Sequence, residues 1–328
     1  MANLETTYLG IKLKNPIVVS SSGLTNSVEK IKQLENAGAG AVVLKSLFEE
    51  QINHEINKEI TGGQGFDYPE AVDYVREYTR ENSVAAYLQM IKEAKAAVEI
   101  PVIASINCFS SDEWVNFAQD IQDAGADAIE LNVFRVNTDK NSEAADYEQI
   151  YYDIAQNVSE VVAIPVSIKL GPYFSNLIHV VDRLSVSGAK GVVLFNRFYE
   201  PDIDIHSMQL TAAEVFSSPA EIRQSLRWVA ITSAKTKKID IAASTGIHDG
   251  SAVVKQMLAG ASATQVCSTV YKNGPSVITR MVEFLESWMK EQNFSTIDDF
   301  KGKMGYRSIK NPNLYERAQF MKYFSNFE

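Results

Sequence analysis

Two stretches decide the fold: IDIAASTGIHDG at residues 239–250 and SATQVCSTVYKNGP at residues 262–275. Each predicts a buried strand that ends in a turn of small residues and continues into a helix. Small residues let backbone N–H groups approach an anion, and a helix N-terminus adds partial positive charge. Two consecutive turns of this kind are typical of the phosphate site after strands 7 and 8 of a (β/α)8 barrel. A pair of ordinary tight turns is the alternative for these stretches taken alone.

The remainder of the chain repeats the strand–helix pattern. Short runs rich in Val and Ile predict strands at 16–20, 41–45, 101–106, 127–132, 165–170, 190–195, 239–243 and 263–267. Helical patterns lie near 27–37, 82–98, 111–124, 143–162, 176–187, 219–236, 249–259 and 273–291. Eight strand–helix pairs in this order predict a closed parallel TIM barrel, and we expect one domain over residues 1–328.

Two stretches are too long for simple barrel loops. Residues 46–81 form a polar insertion after strand 2, and residues 196–218 form another after strand 6. Long loops on this face of a barrel usually carry function or make interfaces. We expect residues 196–218 to form a β-rich arm that contributes to a two-fold dimer interface. The aromatic side chains of the first insertion either line a ligand lid or pack within the loop: Phe66, Tyr68, Tyr74 and Tyr78.

Composition restricts the possible partners and location. The 328 residues are 45% hydrophobic and carry a net charge of −10, which disfavours nucleic acid and anionic membranes as partners. Two cysteines, Cys108 and Cys267, exclude a four-cysteine metal or iron–sulfur site and suit a reducing cytoplasm. No apolar run is long enough to span a membrane, the N-terminal residues lack an apolar signal core, and the four histidines show no metal-ligand spacing.

Polar side chains follow the predicted strands, where barrel enzymes carry their reacting groups. Lys45 follows strand 2, Lys169 lies at the end of strand 5, and amide and guanidinium side chains follow strands 4 and 6. This combination, without a carboxylate pair, predicts a planar anionic ligand. Either lysine alone could equally be a solvated rim residue. The candidates at the strand ends are Ser21, Ser22, Gly23, Lys45, Ser46, Cys108, Asn132, Arg135, Asn137, Lys169, Asn196 and Arg197.

Several of these motifs, in the same order over nearly the whole chain, resemble those of the soluble dihydroorotate dehydrogenases. The matching segments are NPIVVSSSG, VVLKS, GFDY, AIELN, SIKLGPYF, VVLFN, ASTGIHDG, LAGASATQVCSTVYKNGP and STIDDFKGK. The resemblance implies an FMN-binding (β/α)8 barrel that oxidises dihydroorotate in pyrimidine biosynthesis, by hydride transfer to the flavin and removal of a neighbouring proton. It also implies a homodimer.

The resemblance carries over almost completely for the cofactor. The residues that it implies for FMN binding are Ser21, Ser22, Gly23, Lys45, Ser46, Asn132, Lys169, Thr245, Gly246, Cys267 and Ser268. Lys45 matches a lysine beside both flavin and substrate and is therefore also a catalytic candidate. Lys169 matches the lysine near the flavin ring, and the last four residues match the backbone positions that hold the phosphate. The substrate candidates are Asn137, Asn196 and Arg197.

The substrate side departs from the family pattern. The family's strand-4 loop reads Asn-Leu-Ser-Cys-Pro-Asn, and here Arg135 stands in place of the cysteine base. A guanidinium stays protonated and has no acceptor atom, so it cannot remove a proton. A Gly-Leu-Pro-Asn motif that holds the substrate is replaced by residues 60–63, Ile-Thr-Gly-Gly, and a hydroxyl residue is replaced by Arg197.

These changes leave alternatives for individual residues and for the function. Arg135 and Arg197 either bind a carboxylate or phosphate, or pair with loop acids: Glu49, Glu50, Glu200, Asp202 or Asp204. Cys108 is either a replacement thiolate base or a buried structural cysteine. The prediction is an FMN-dependent oxidoreductase for a small anionic substrate. The alternatives are a flavin enzyme for a different small anion and a flavin- or phosphate-ligand-binding barrel without turnover.

Overall fold

A computed structural model describes residues 2–48, 69–107, 111–133, 136–198 and 200–317. The strands are β1 (Thr6–Tyr8), β2 (Ile11–Leu13), β3 (Ile17–Val19), β4 (Ala41–Val43), β5 (Leu47–Phe48), β6 (Val102–Asn107), β7 (Ala128–Asn132), β8 (Val166–Leu170), β9 (Gly191–Leu194), β10 (Pro201–Asp204), β11 (Gln209–Ala212), β12 (Asp240–Ser244) and β13 (Ala263–Val266). The α-helices are Val28–Asn36, Pro69–Ala97, Ser111–Asp123, Ala144–Val161, Leu177–Val186, Ile222–Lys235, Gly250–Ala259, Ser268–Asn273, Ser276–Glu291 and Asn313–Glu316.

Eight of these strands form a closed parallel barrel. Pairing runs from β3 through β4, β6, β7, β8, β9, β12 and β13, and β13 pairs back with β3. The short strand β5 adds a further parallel pairing beside the end of β6. The predicted (β/α)8 TIM barrel is therefore confirmed, and each predicted barrel strand lies within two residues of the observed one.

The structure corrects the predicted helices at two places. The helix predicted at 82–98 begins at Pro69, so the last part of the insertion at 46–81 is helical. Proline is favoured at the first position of a helix because its missing N–H is not needed there. The helix predicted at 273–291 is observed as Ser276–Glu291, and an unpredicted short helix, Ser268–Asn273, precedes it. Gly274, which has a φ of 72°, and Pro275 separate the two helices. The remaining insertion residues, 49–68, lie outside the described part of the chain.

The N-terminal residues form a hairpin that the sequence analysis did not predict. Strands β1 and β2 pair in an antiparallel register, and Tyr8, Leu9 and Leu13 are buried. These side chains belong to the same apolar cluster as the inward-facing residues of the barrel strands. The Leu9 N–H donates to the Asp240 carboxylate over 2.8 Å, which fixes the hairpin to the N-terminal end of β12.

Inward-facing side chains of the barrel form two layers of different character. Side chains alternate between the two faces of a strand, so residues two apart point to the same side. The lower layer is apolar and includes Val18, Ile103, Ala128, Ala242 and Ala263. Two residues further along the same strands, the inward positions are polar: Ser20, Ser105, Glu130, Ser244 and Gln265. All five polar residues are buried, so the barrel presents a polar layer beneath its C-terminal rim.

The long connection after β9 forms an arm. Strands β10 and β11 pair as an antiparallel hairpin in which Ile203 lies opposite Leu210. All eight residues of these strands are exposed. The predicted β-rich character of residues 196–218 is confirmed.

Candidate flavin and substrate site

A buried ammonium group dominates the polar layer. Lys169 Nζ lies 2.9 Å from Ser20 Oγ, 3.0 Å from Gln265 Oε1 and 3.4 Å from Glu130 Oε1. Gln265 in turn donates from Nε2 to Glu130 Oε2. Because an ammonium has three N–H donors, these acceptors account for all of them. A ligand at the rim would therefore meet chiefly the charge of Lys169, unless one of these contacts were exchanged for it.

Glu130 and Gln265 are site residues that the sequence analysis missed. Both occupy inward positions in otherwise apolar strands, AIELN and ATQV. A charged residue is rarely fully buried unless it is paired. Applied to Glu130, this rule predicts an ion pair with one of the two candidate lysines, Lys45 or Lys169.

The turn after β12 has a left-handed backbone conformation at two successive residues. Thr245 and Gly246 have φ angles of 74° and 77°. A Cβ atom on Gly246 would lie 2.1 Å from the backbone nitrogen of Ile222, so only glycine fits. The N–H groups of Gly246 and Ser268 have no hydrogen-bond acceptor among the described residues. These N–H groups suit an anion, as predicted.

Cys267 lies directly before the helix Ser268–Asn273 and lines the same turn. Burial raises the pKa of its thiol, although a hydrogen bond with Ser22 and the charge of Lys169 act in the opposite direction. The thiol is therefore neutral near pH 7, and Cys267 serves as a small residue in the turn. His248 lies on the other side of the turn, where burial and the nearby Lys272 lower its pKa and favour the neutral imidazole.

Hydroxyl groups connect the ends of the first three barrel strands. Ser21 Oγ lies 3.0 Å from Ser46 Oγ, which lies 2.6 Å from Ser105 Oγ. The hydroxyl of Tyr87 accepts from the Ser105 N–H and donates to the Ser105 carbonyl, over 2.8 and 2.9 Å. This network holds Ser21 and Ser46 at the rim, where the sequence analysis predicted them.

The glycine-containing turn after β3 is fixed by its own side chains. Ser22 Oγ accepts from the Leu24 N–H over 3.2 Å and caps the short 3-10 helix Gly23–Thr25. A Cβ atom on Gly23 would lie 2.8 Å from the hydroxyl of Tyr271. Lys45 is half-buried beside this turn, and its ammonium has no hydrogen bond or ion pair with another residue of the described chain. Lys45 is therefore a cation available to a ligand.

The amide candidates fall into two groups. Asn196 Nδ2 donates to Asn132 Oδ1 over 2.8 Å, so the ends of β7 and β9 meet across the rim. Asn137 is exposed, and its side chain bonds Ser142 and the Asp139 N–H within its own loop. The structure therefore does not bring Asn137 together with the other candidates. Arg135 and Cys108 lie outside the described residues, as do Phe66 and Tyr68 of the predicted lid.

Arg197 is engaged with acids and carbonyl groups. Its Nε donates to Glu221 Oε2 over 2.9 Å, and its Nη2 lies 3.9 Å from Glu200 Oε2. Partial burial opposes ionisation of Glu221, but hydrogen bonds from the Ser218 N–H and from Arg197 lower its pKa overall. Of the two alternatives for Arg197, these contacts favour pairing with protein acids.

Several of the candidate residues line a cavity of about 220 Å³, whereas Ser22, Gly23, Lys45, Ser46 and Asn132 are not among its lining residues. Its walls include Ser20, Ser21, Lys169, Asn196, Arg197, Val215, Ser217, Thr245, Gly246, Gln265, Cys267 and Ser268. A second cavity of about 600 Å³ shares Asn196, Arg197, Ser244 and Thr245 with it and extends beneath the arm. The cavity thus joins the buried ammonium to the turns at Gly246 and Ser268. Within the described ranges, no helix is long and apolar enough to cross a membrane.

Comparison with known proteins agrees with this geometry. The family model described as dihydroorotate dehydrogenase matches residues 72–289. A protein of Thermoplasma volcanium, named dihydroorotate dehydrogenase B (NAD(+)), catalytic subunit, is 28% identical over 92% of this chain and 98% of its own length. Proteins of the same name from Thermoplasma acidophilum and Methanothermobacter thermautotrophicus are 28% and 27% identical, over 92% and 91% of this chain and 99% and 97% of their own lengths.

The family match covers well over half of the chain and includes β7 to β13, which carry Lys169 and both turns of the cavity. The chain therefore belongs to the dihydroorotate dehydrogenase family.

Proposed function

We propose that the protein is an FMN-dependent oxidoreductase that transfers hydride between a small anionic substrate and the flavin. FMN is the expected cofactor of this family. The observation that carries the proposal is the juxtaposition, in one cavity, of the buried Lys169 ammonium and the N–H groups of Gly246 and Ser268. When bound, FMN supplies the hydride chemistry, and the protein supplies binding, orientation and electrostatics.

The residues in and around the cavity suit the phosphate and the ring of FMN. The N–H groups of Gly246 and Ser268 would hold the phosphate. Lys169 would lie at the ring, where its positive charge favours an anionic reduced flavin. Ser21, Ser46 and the Asn132–Asn196 pair would supply hydrogen bonds along the rim. Lys45 would remain available to the substrate and the ring together.

The turn at Gly246 gives a direct test of the phosphate end. We expect Gly246→Ala to lose most bound FMN, because the new Cβ overlaps the Ile222 nitrogen and must displace the turn. Gly125→Ala is the matched control, since Gly125 also has a positive φ, 95°, but has open space around its Cβ position. The flavin content of each purified protein is measured from its visible spectrum. Equal flavin content in the two variants would contradict the assignment of this turn.

The substrate side of the site differs from the family pattern at the position of the residue that removes the proton. Arg135 stands where the resemblance implies a cysteine base, and a guanidinium has no acceptor for a proton. A positioned base contributes a factor of about 10² to 10⁴ to such reactions. We therefore propose that dihydroorotate binds poorly or reacts slowly, and that the physiological substrate is another small anion.

Anaerobic mixing with dihydroorotate tests this proposal through the bleaching of the flavin. We expect slow bleaching in the natural protein and faster bleaching in Arg135→Cys. Arg135→Ala is the control, because it removes the positive charge without adding a base. Chemical reduction of each protein checks that its flavin can be reduced.

Rapid bleaching of the natural protein, at about 1 to 10³ per second, would overturn this proposal, since that is the usual enzyme range. In that case Cys108→Ser tests the alternative thiolate base. Equal acceleration in Arg135→Ala and Arg135→Cys would mean that charge, and not the missing base, limits the reaction.

The arm supports a further proposal, that the protein is a homodimer. Ile203 and Leu210 lie opposite each other on one face of the hairpin and are 62% and 75% exposed. Met208 at the tip is 86% exposed. An isolated two-stranded hairpin is only marginally stable in water, so such a face gains stability when it is covered. We propose that a second copy of the chain covers it across a two-fold axis.

Sedimentation measures the oligomeric state. We expect a dimer at micromolar concentration and a monomer for the double variant Ile203→Glu, Leu210→Glu, because opposed carboxylates cannot be buried without partners. Val186→Glu is the control, since Val186 is 74% exposed at the end of a helix that leads to Gly188, beside the N-terminal hairpin. A monomeric natural protein, or a dimeric double variant, would contradict the role of the arm.

Two broader proposals accompany these. We infer a single domain over residues 1–328, because the described elements from β1 to the last helix pack on one barrel. We also infer a cytoplasmic location, because the sequence has only two cysteines, which suits a reducing compartment.

A further inference from the structure

Arg197 lies at the root of the arm and contacts both of its legs. Its Nη1 donates to the carbonyl oxygens of Glu214 and Val215 over 2.7 and 3.1 Å. Its Nε donates to the Glu221 carboxylate, and its Nη2 faces Glu200 on the outgoing leg. The side chain is 21% exposed. One guanidinium thus joins the outgoing leg, the returning leg and the turn that begins the next helix.

The acid partner of Arg197 is held in place independently. Glu221 Oε1 accepts from the Ser218 N–H over 2.6 Å, and Ser218 and Glu221 form a reciprocal capping box around the turn Pro219–Glu221. Charge-assisted hydrogen bonds of this kind are stronger than neutral ones. The planar fork of an arginine reaches several acceptors at once, which the single ammonium of a lysine does less well. The returning leg is therefore fixed at Glu214, Val215 and Ser218.

The segment held in this way places Ser217 between the turn after β12 and the helix after β13. Ser217 is buried, and its N–H donates to Ser268 Oγ over 3.0 Å. Its hydroxyl lies 3.0 Å from His248 Nε2, and its carbonyl accepts from Lys272 Nζ over 3.0 Å. Ser217 therefore bridges the turn after β12 and the helix after β13. Ile222, which packs against Gly246, follows directly after Glu221.

We propose that Arg197 is a positioning residue that fixes residues 214–218 across the rim, so that Ser217 completes the pocket for the phosphate monoester of the cofactor. This inference rests on the proposed FMN function. It assigns Arg197 an indirect role: the side chain acts through the arm root and Ser217, and it does not itself bind the phosphate. Loss of Arg197 frees the returning leg and loosens the wall of the phosphate pocket.

Binding of FMN and of riboflavin, which lacks the phosphate, to the flavin-free protein tests this role. We expect Arg197→Gln to weaken FMN binding by about 10- to 100-fold, the range for lost hydrogen bonds to charged groups, and to weaken riboflavin binding much less. The FMN affinity of Arg197→Lys should lie between those of the natural protein and Arg197→Gln. Arg223→Gln is the control, because Arg223 is an exposed arginine near the arm root without an ion pair to any described residue.

A second readout does not depend on flavin. Hydrogen exchange of the flavin-free protein should show faster exchange at the Ser217 N–H in Arg197→Gln and in Glu221→Gln than in Arg223→Gln. If Arg197→Gln does not fold, Arg197→Lys and Glu221→Gln carry the test. Unchanged FMN affinity and unchanged Ser217 exchange in these variants would overturn the positioning role. A natural protein that binds no FMN would instead overturn the proposed function. The exchange result would still test whether Arg197 fixes residues 214–218.

Discussion

The buried ion pair between Lys169 and Glu130 is the interaction on which the site depends. Removing charges from water into a protein interior costs several kcal/mol for each ion, unless good geometry and further hydrogen bonds compensate. Here Gln265 and Ser20 provide those hydrogen bonds, to the ammonium and, through Gln265, to the carboxylate. The pair is therefore tolerated in the centre of the barrel, and the positive charge stays at a fixed position just below the rim.

The barrel makes that position possible. Its lower inward layer is apolar and is closed from below by Tyr8, Leu9 and Leu13 of the N-terminal hairpin. The polar layer begins two residues further along the strands. The apolar core and the ligand site are therefore formed by successive inward-facing positions of the same strands. On this platform the turn at Gly246 and the helix starting at Ser268 lie to one side of the charge, and the Asn132–Asn196 pair closes the rim between β7 and β9.

The sequence was sufficient for the barrel, and its assignment of the cofactor residues stays a prediction. Strand periodicity and the glycines at helix ends are local properties, and the structure agrees with both, whereas the positive φ at Gly246 is seen only in the structure. Tertiary contacts could not be derived in the same way. The acids named as possible partners of Arg197 included Glu200 but not Glu221, because Glu221 becomes its neighbour only after the arm has returned.

Other residues were missed for related reasons. Glu130 and Gln265 are polar residues in strands that were interpreted by their apolar neighbours alone. The N-terminal hairpin was overlooked because alternating short strands of three residues give almost no periodic signal. Asn137 was selected by its place in a motif, yet its side chain bonds within its own exposed loop.

The cavity beside the buried Lys169 has one phosphate pocket, which would hold a flavin mononucleotide. There is no dinucleotide glycine fingerprint after an early strand, and the cavity offers turns for a single phosphate at Gly246 and Ser268. The most direct measurement is titration of the flavin-free protein with FMN and with FAD, followed by flavin fluorescence. We expect stoichiometric binding of FMN and no comparable binding of FAD. A protein that binds neither flavin, or that prefers FAD, would contradict it.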